Sequence, residues 1–232
     1  MTREQILQNA QVREQSILRN VYVWMTLGLG LTGVISLGMA SNPNLVMSLV
    51  RNPLLFYGAI IGELVLVMFL SARLMQMSAT AATLGFAGYA ALNGVTLSVI
   101  FLAYTGQSIA QAFFVAGGTF AGMSLWATTT RRDLSSIGNY LFMGLIGLII
   151  AMVANMFFRS DSFSLLISLV GVALFLGLTA YDTQMIKSWN RQFGSSIDEA
   201  GYIKLSIMGA LKLYLDFINL FLFFLRIFGR RD

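Results

Sequence analysis

The stretch that decides the fold is Leu205-Ser206-Ile207-Met208-Gly209-Ala210-Leu211-Lys212-Leu213-Tyr214-Leu215-Asp216-Phe217-Ile218-Asn219-Leu220-Phe221-Leu222-Phe223-Phe224-Leu225-Arg226-Ile227-Phe228. It is long enough to cross a bilayer as a helix, which takes about 20 mostly apolar residues. An acid at the centre of such a helix costs roughly 2.5 to 3.5 kcal/mol on insertion scales, so Asp216 needs a bundle interior or a water-filled path. With Lys204 just before it and Lys212 and Asp216 inside it, this is the most polar of the apolar segments. It is therefore expected at the centre of a bundle, surrounded by the others.

Working outward, six more segments read as spans: Val21 to Ala40, Pro53 to Ser71, Ala81 to Tyr104, Ser108 to Ala127, Ile137 to Phe158 and Phe163 to Gln184. All are expected to be helices, because in lipid the backbone must satisfy its own hydrogen bonds and these segments do not alternate in polarity as barrel strands do. Tight connections such as Thr105 to Gln107 and Arg159 to Ser162 make neighbouring helices antiparallel. The expected class is an all-α polytopic membrane protein of seven helices, with a polar N-terminal tail (residues 1–20) and one transmembrane domain (residues 21–232). The tail has no apolar core and is not a cleavable signal peptide, so the first span is expected to target the chain.

Composition agrees and narrows the function. Hydrophobic residues make up 57% of the 232 and charged residues 11%, with a mean hydropathy of +0.75, far from the balance of a soluble domain. Cys and His are both absent from the sequence. That removes disulfides, thiolate and imidazole metal sites, cysteine nucleophiles and histidine bases, so neither an enzyme nor a bound cofactor is expected. The net charge of +5 is dispersed over span ends rather than clustered, which reads as topology and not as nucleic-acid binding. With the N-terminus inside, Arg3, Arg13, Arg19, Arg73, Arg131, Arg132, Lys187, Arg191 and Lys204 are inside, against Arg51 and Arg159 outside. Arg226, Arg230 and Arg231 oppose this bias, so either it is overruled at the tail or the last segment is re-entrant.

The glycines read as packing positions. Gly85 and Gly88, Gly117, Gly118 and Gly122, and Gly144 and Gly147 lie where helix backbones can approach. Gly28-Leu29-Gly30-Leu31-Thr32-Gly33 matches the spelling of a dinucleotide fingerprint, but inside a span, with no preceding strand, it too reads as packing.

Longer motifs carry a resemblance. Tyr104-Thr105-Gly106-Gln107-Ser108-Ile109 with Ala112-Phe113-Phe114, Met123-Ser124, Thr129 to Leu134, and Leu141 to Ala151 with Asn155 are similar to the transmembrane BAX inhibitor motif family, in the spelling of a bacterial member. Leu178-Thr179-Ala180-Tyr181-Asp182-Thr183-Gln184 and Leu213 to Phe221 strengthen it. The resemblance is strong from about Ala90 onward and loose over the first two spans. It implies a seven-helix bundle with the last helix central, and a calcium leak gated by pH.

The resemblance also assigns roles. Asp182 and Asp216 match the aspartate pair that serves as the family's proton sensor. Two carboxylates in a low-dielectric site cannot both ionise cheaply, so such a pair titrates as one unit. Read from the residues alone, Asp182 is equally an interfacial carboxylate near Lys187, and Asp216 an ion-pair partner of Lys212 four positions earlier. Asn219 can bond the Asp216 carboxyl or line the same face. Arg73 matches the basic residue that latches the pair in the family, or is an ordinary anchor of the second span. Glu63, near mid-membrane, either faces calcium, together with Asp216, as a weak and transient ligand, or pairs with Lys212. The polar stretch Asn190 to Glu199 is longer than expected for compact bacterial members.

Four functions remain in view. The first is a proton-gated calcium leak in a bacterial inner membrane, with the N-terminus cytoplasmic and the bilayer, calcium ions and protons as partners. The second is a membrane-embedded regulator that binds a membrane-anchored ATP-dependent protease through the tail. The third is an intramembrane aspartyl protease, for which Tyr181-Asp182 supplies half a signature but Leu213-Tyr214-Leu215 lacks the Gly-x-Gly context. The fourth is a proton-coupled transporter, although no internal repeat is visible.

Overall fold

A computed structural model describes residues 3–193 and 197–229, with the side chains of 3–16 and 190–192 outside the description. Among the described residues every regular element is helical: α1 (Arg3–Ala40), α2 (Pro43–Arg51), α3 (Pro53–Arg73), α4 (Ala79–Leu97), α5 (Ile100–Ala103), α6 (Gly106–Thr129), α7 (Gly138–Phe158), α8 (Asp161–Phe193) and α9 (Glu199–Phe228). Single 3₁₀ turns, Leu74–Gln76 and Ser135–Ile137, follow α3 and precede α7. Seven stretches are long and apolar enough to cross a membrane: Ile17–Ala40, Pro53–Gln76, Ala79–Ala103, Gly106–Thr129, Ser135–Phe158, Asp161–Trp189 and Glu199–Phe228. The protein is an all-α polytopic membrane protein, and each expected span is present, most of them longer at one end or both and the third ending at Ala103 rather than Tyr104.

The ends have local causes. Asn52 accepts hydrogen bonds from the Leu54 and Leu55 amides and Pro53 opens α3, Ser78 caps α4 through the Ala81 amide, and Thr105 caps α6 through the Ser108 amide. The α7 to α8 turn needs only Arg159 and Ser160. Arg159 adopts the left-handed conformation (φ 50°, ψ 40°), and Asn155 Oδ1 accepts from the Ser160 amide.

Burial separates the helices by role. The most apolar windows of the second and fifth spans are each 6% buried within the protein, whereas that of α9 is 72% buried. Leu54, Phe157 and Phe158 accordingly face out, at 83%, 81% and 76% exposure, as lipid-facing residues do. α9 is unbroken from Glu199 to Phe228, so the described part of the last segment is a full crossing by length rather than a re-entrant loop. Arg230 and Arg231 lie outside the described residues.

The chain forms two compact units. One comprises residues 1–103 and 189–214, the other residues 104–188 and 215–232, so α9 gives its first half to the first unit and its second half to the other. In the first unit α1 packs along α4. Gly94 sits against the Thr32 carbonyl and Ile35, and Gly28 against the rings of Phe86 and Tyr214, so that an added Cβ would lie 2.8 Å and 2.7 Å from its nearest neighbour, respectively. In the second unit the Phe217 ring meets Phe113 and Phe120 edge-on, with centroids 5.4 and 5.7 Å away, and Phe223 closes over Gly171.

Several expectations need correction. Of the glycines read as packing positions, Gly28, Gly85 and Gly144 do meet side chains, those of Phe86, Leu70 and Leu174, but Gly30, Gly33, Gly88, Gly117, Gly118, Gly122 and Gly147 have nothing within 4 Å. A small residue on a membrane helix faces lipid as readily as a neighbour, and spacing alone does not tell the two apart. α1 runs without a break from Arg3 through the first span, and Ile17 is buried, at 1% exposure. The connection between the first two spans contains α2, whose Val46 is buried. Of the polar stretch Asn190 to Glu199, residues 190–193 continue α8 and Glu199 opens α9, while residues 194–196 lie outside the described residues.

Candidate functional site

The second unit carries both aspartates. Asp182, on α8, is 6% exposed, and Asp216, on α9, is 4% exposed. Their placement follows from the flanking residues: Thr179, Ala180, Thr183 and Ile186 form the buried side of α8 around Asp182, while Leu213, Phe217 and Leu220 do so on α9. This burial is not that of an interfacial carboxylate in water.

Around Asp182 the polar side chains of α8 bind the last turn of α6 and the connection that follows it. Gln184 Nε2 donates to the Arg132 carbonyl at 2.7 Å, Gln184 Oε1 accepts from the Leu134 amide at 2.9 Å, and Lys187 Nζ donates to the Thr128 carbonyl at 2.8 Å. Tyr181 lies over Gly138 at the start of α7, so closely that a Cβ there would come within 2.6 Å of the ring. Asp182 is thus carried by a segment held by the start of α7 on one side and by the end of α6 and the connection after it on the other. Asp133 in that connection is fully exposed, and the Ser135 amide and hydroxyl hold its carboxyl below the usual carboxylate range. Lys187 spends its ammonium on a carbonyl, which makes it part of this clamp. Sequence reading missed the clamp because a glutamine and a lysine at a helix end carry no signature.

Asn219 Nδ2 donates to the Leu215 carbonyl of its own helix at 2.8 Å, so its amide is directed there. Arg73 is exposed and donates from Nη1 to Gln76 Oε1 at 2.9 Å, a bond to the turn that ends α3. Lys212 is half-buried, and about two turns toward the helix start lies Lys204, whose Nζ donates to the Met75 carbonyl at 3.0 Å.

The first unit holds a second polar centre. Glu63 on α3 is half-buried; it accepts from Asn93 Nδ2 and, at 2.9 Å, from Thr96 Oγ1, both on α4. About one and two turns from Asn93 toward the start of α4, and facing α9, Tyr89 and Phe86 set their rings edge-on to Tyr214. The Tyr214 hydroxyl lies 2.7 Å from Thr32 Oγ1, which also reaches the Ala90 carbonyl at 2.8 Å. Asn93 and Thr96 were not anticipated. Their spacing of three on an apolar helix was the available signal, since it puts both on one face.

The model of the family described as "Inhibitor of apoptosis-promoting Bax1" matches residues 14–232. The chain belongs to this family. Within it, the chain is 46% identical over 217 residues to the inner membrane protein YbhL of Escherichia coli K12, covering 94% of this chain and 92% of that one. It is 42% identical over 234 residues to a Deinococcus radiodurans protein (100% and 96%) and 41% identical over 218 residues to a Borreliella burgdorferi protein (94% and 93%). Family membership therefore extends over the first two spans, where motif spelling alone was loose.

Proposed function

We propose that this Bax inhibitor family protein is a calcium leak pathway of a bacterial inner membrane, with its N-terminus cytoplasmic, opened by protonation of Asp182 and Asp216. One observation carries the reading: two carboxyls stand on two apolar spans of one compact unit, each almost fully buried. Acids kept at such cost inside a membrane protein mark ion or proton pathways far more often than structure. The similarity to an inner membrane protein of Escherichia coli supports the location.

In this account the carboxyls are the sensor. Acidification removes charge from them, and the change is felt by α8, which Gln184 holds to the connection beyond α6 and Lys187 to the last turn of α6. A change of charge on a clamped element shifts the balance between closed and open arrangements by the difference in its interaction with each. Leak rises as pH falls. The test is calcium entry into proteoliposomes containing the purified protein, measured at pH 8, 7 and 6 against empty vesicles; flux no greater than in empty vesicles at every pH excludes the reading.

A further inference from the structure

Glu63 is the acid at mid-span in α3, and two neutral oxygen-bearing side chains from α4 converge on it. Their chemistry is not that of simple packing. The Thr96 hydroxyl has one proton but faces two acceptors, Glu63 Oε2 at 2.9 Å and the Asn93 carbonyl at 3.0 Å. Asn93 is 4% exposed, and its Oδ1 is buried with no donor in hydrogen-bonding range among the described residues. An acceptor without a donor beside a carboxylate is an arrangement that a cation completes.

The backbone adds a second argument. α4 stops at Leu97, within the Ala79–Ala103 span, and the chain turns at Ser98 and Val99 before α5 resumes. The last turn tightens: the Ser98 amide reaches the carbonyls of Gly94 and Val95 at 3.1 and 3.3 Å, and the Ser98 hydroxyl takes that of Val95 at 2.6 Å. A helix that ends inside a membrane presents the negative end of its dipole there, and broken membrane helices place such ends beside bound cations. Thr96 is the last residue but one of α4.

We propose that Glu63, Asn93 and Thr96 form a calcium-binding site at mid-membrane, beside the broken end of α4, in the unit that holds neither Asp182 nor Asp216. Calcium takes six to eight oxygens, and this set supplies a carboxylate, an amide oxygen after rotation of the Asn93 side chain, and a hydroxyl. Water completes the shell, so binding is weak and reversible, as transit requires. The proposal rests on the reading that calcium is the transported ion, but its test does not use transport.

The experiment is calcium-dependent thermal stabilisation of the detergent-solubilised full chain, in an Asp182→Asn/Asp216→Asn background that removes the other two buried acids. Calcium should still stabilise this background, with sodium at matched ionic strength giving no such shift. Adding Glu63→Gln should remove the calcium shift, and adding Asn93→Asp instead should tighten calcium binding by about tenfold through the second charged ligand. The gain expected of Asn93→Asp keeps the test decisive if Glu63→Gln folds poorly. A calcium shift unchanged by both substitutions, or one reproduced by sodium, overturns the site.

Discussion

The hydroxyl of Tyr214 and Oγ1 of Thr32 are 2.7 Å apart and buried, which joins α9 to α1 within the first unit. Because Thr32 also reaches the Ala90 carbonyl, its proton is committed there and Tyr214 is the donor. Tyr214→Phe removes one hydrogen bond and leaves Thr32 with its backbone partner, so it should cost about 1 kcal/mol. Thr32→Val leaves the tyrosine hydroxyl buried without an acceptor and should cost more, about 1 to 3 kcal/mol. Thermal unfolding of the two variants in one detergent checks the order.

Gly94 and Gly88 give a matched pair. A methyl on Gly94 would lie 2.8 Å from the Thr32 carbonyl and 2.9 Å from Ile35 Cβ, whereas one on Gly88 meets nothing within 4 Å. Gly94→Ala should destabilise by about 1 to 3 kcal/mol as α1 and α4 are pushed apart. Gly88→Ala should be neutral or slightly stabilising. Equal melting temperatures for the two would contradict the α1 to α4 packing.

This contrast also shows what the sequence could convey. Apolar length and uniform polarity disclosed all seven spans, and the cost of a buried acid singled out Asp182 and Asp216, because both effects are local and large. Which glycines touch a neighbour, where α4 breaks, and that Gln184 grips a loop about fifty residues earlier in the chain depend on rotation of one helix against another. A periodicity of 3.6 fixes a face but not the partner it meets. Ser98 and Val99 are ordinary span residues in composition, so the break in α4 left no mark. α2 is only nine residues long, and a helix that short between two spans has no apolar length to mark it.

Gln184→Ala should loosen the connection between α6 and α7. It removes bonds to both the Arg132 carbonyl and the Leu134 amide, so amide hydrogen exchange over residues 130–135 should speed up while the melting temperature changes little. Unchanged exchange there would mean that the loop is held by other contacts.

Arg73 can be assigned by comparison with its own partner. The proposed gate needs a cation to favour the charged, closed state, and Arg73→Ala is expected to raise leak at neutral pH and flatten its pH profile. Gln76→Ala removes only the described 2.9 Å bond. If both variants behave alike, Arg73 is an anchor of α3 and has no part in gating.

Asp133 supplies a control for the pH dependence. Its carboxyl is held below the usual range by the Ser135 amide and hydroxyl, so any stabilisation it gives is present above the ordinary carboxylate range and lost only as pH falls through that lowered value. A leak that changes between pH 8 and 6 does not come from it. Asp133→Asn should leave the profile unchanged.

The most direct measurement of the central claim is calcium flux against pH for Asp216→Asn in proteoliposomes, beside the unmodified protein. Asparagine keeps the shape of the carboxyl but does not titrate. The account predicts that flux through the unmodified protein rises from pH 8 to pH 6, that Asp216→Asn is nearly flat, and that adding Asp182→Asn changes little further, since coupled groups act as one. An Asp216→Asn protein that is folded and retains the full rise on acidification would contradict it.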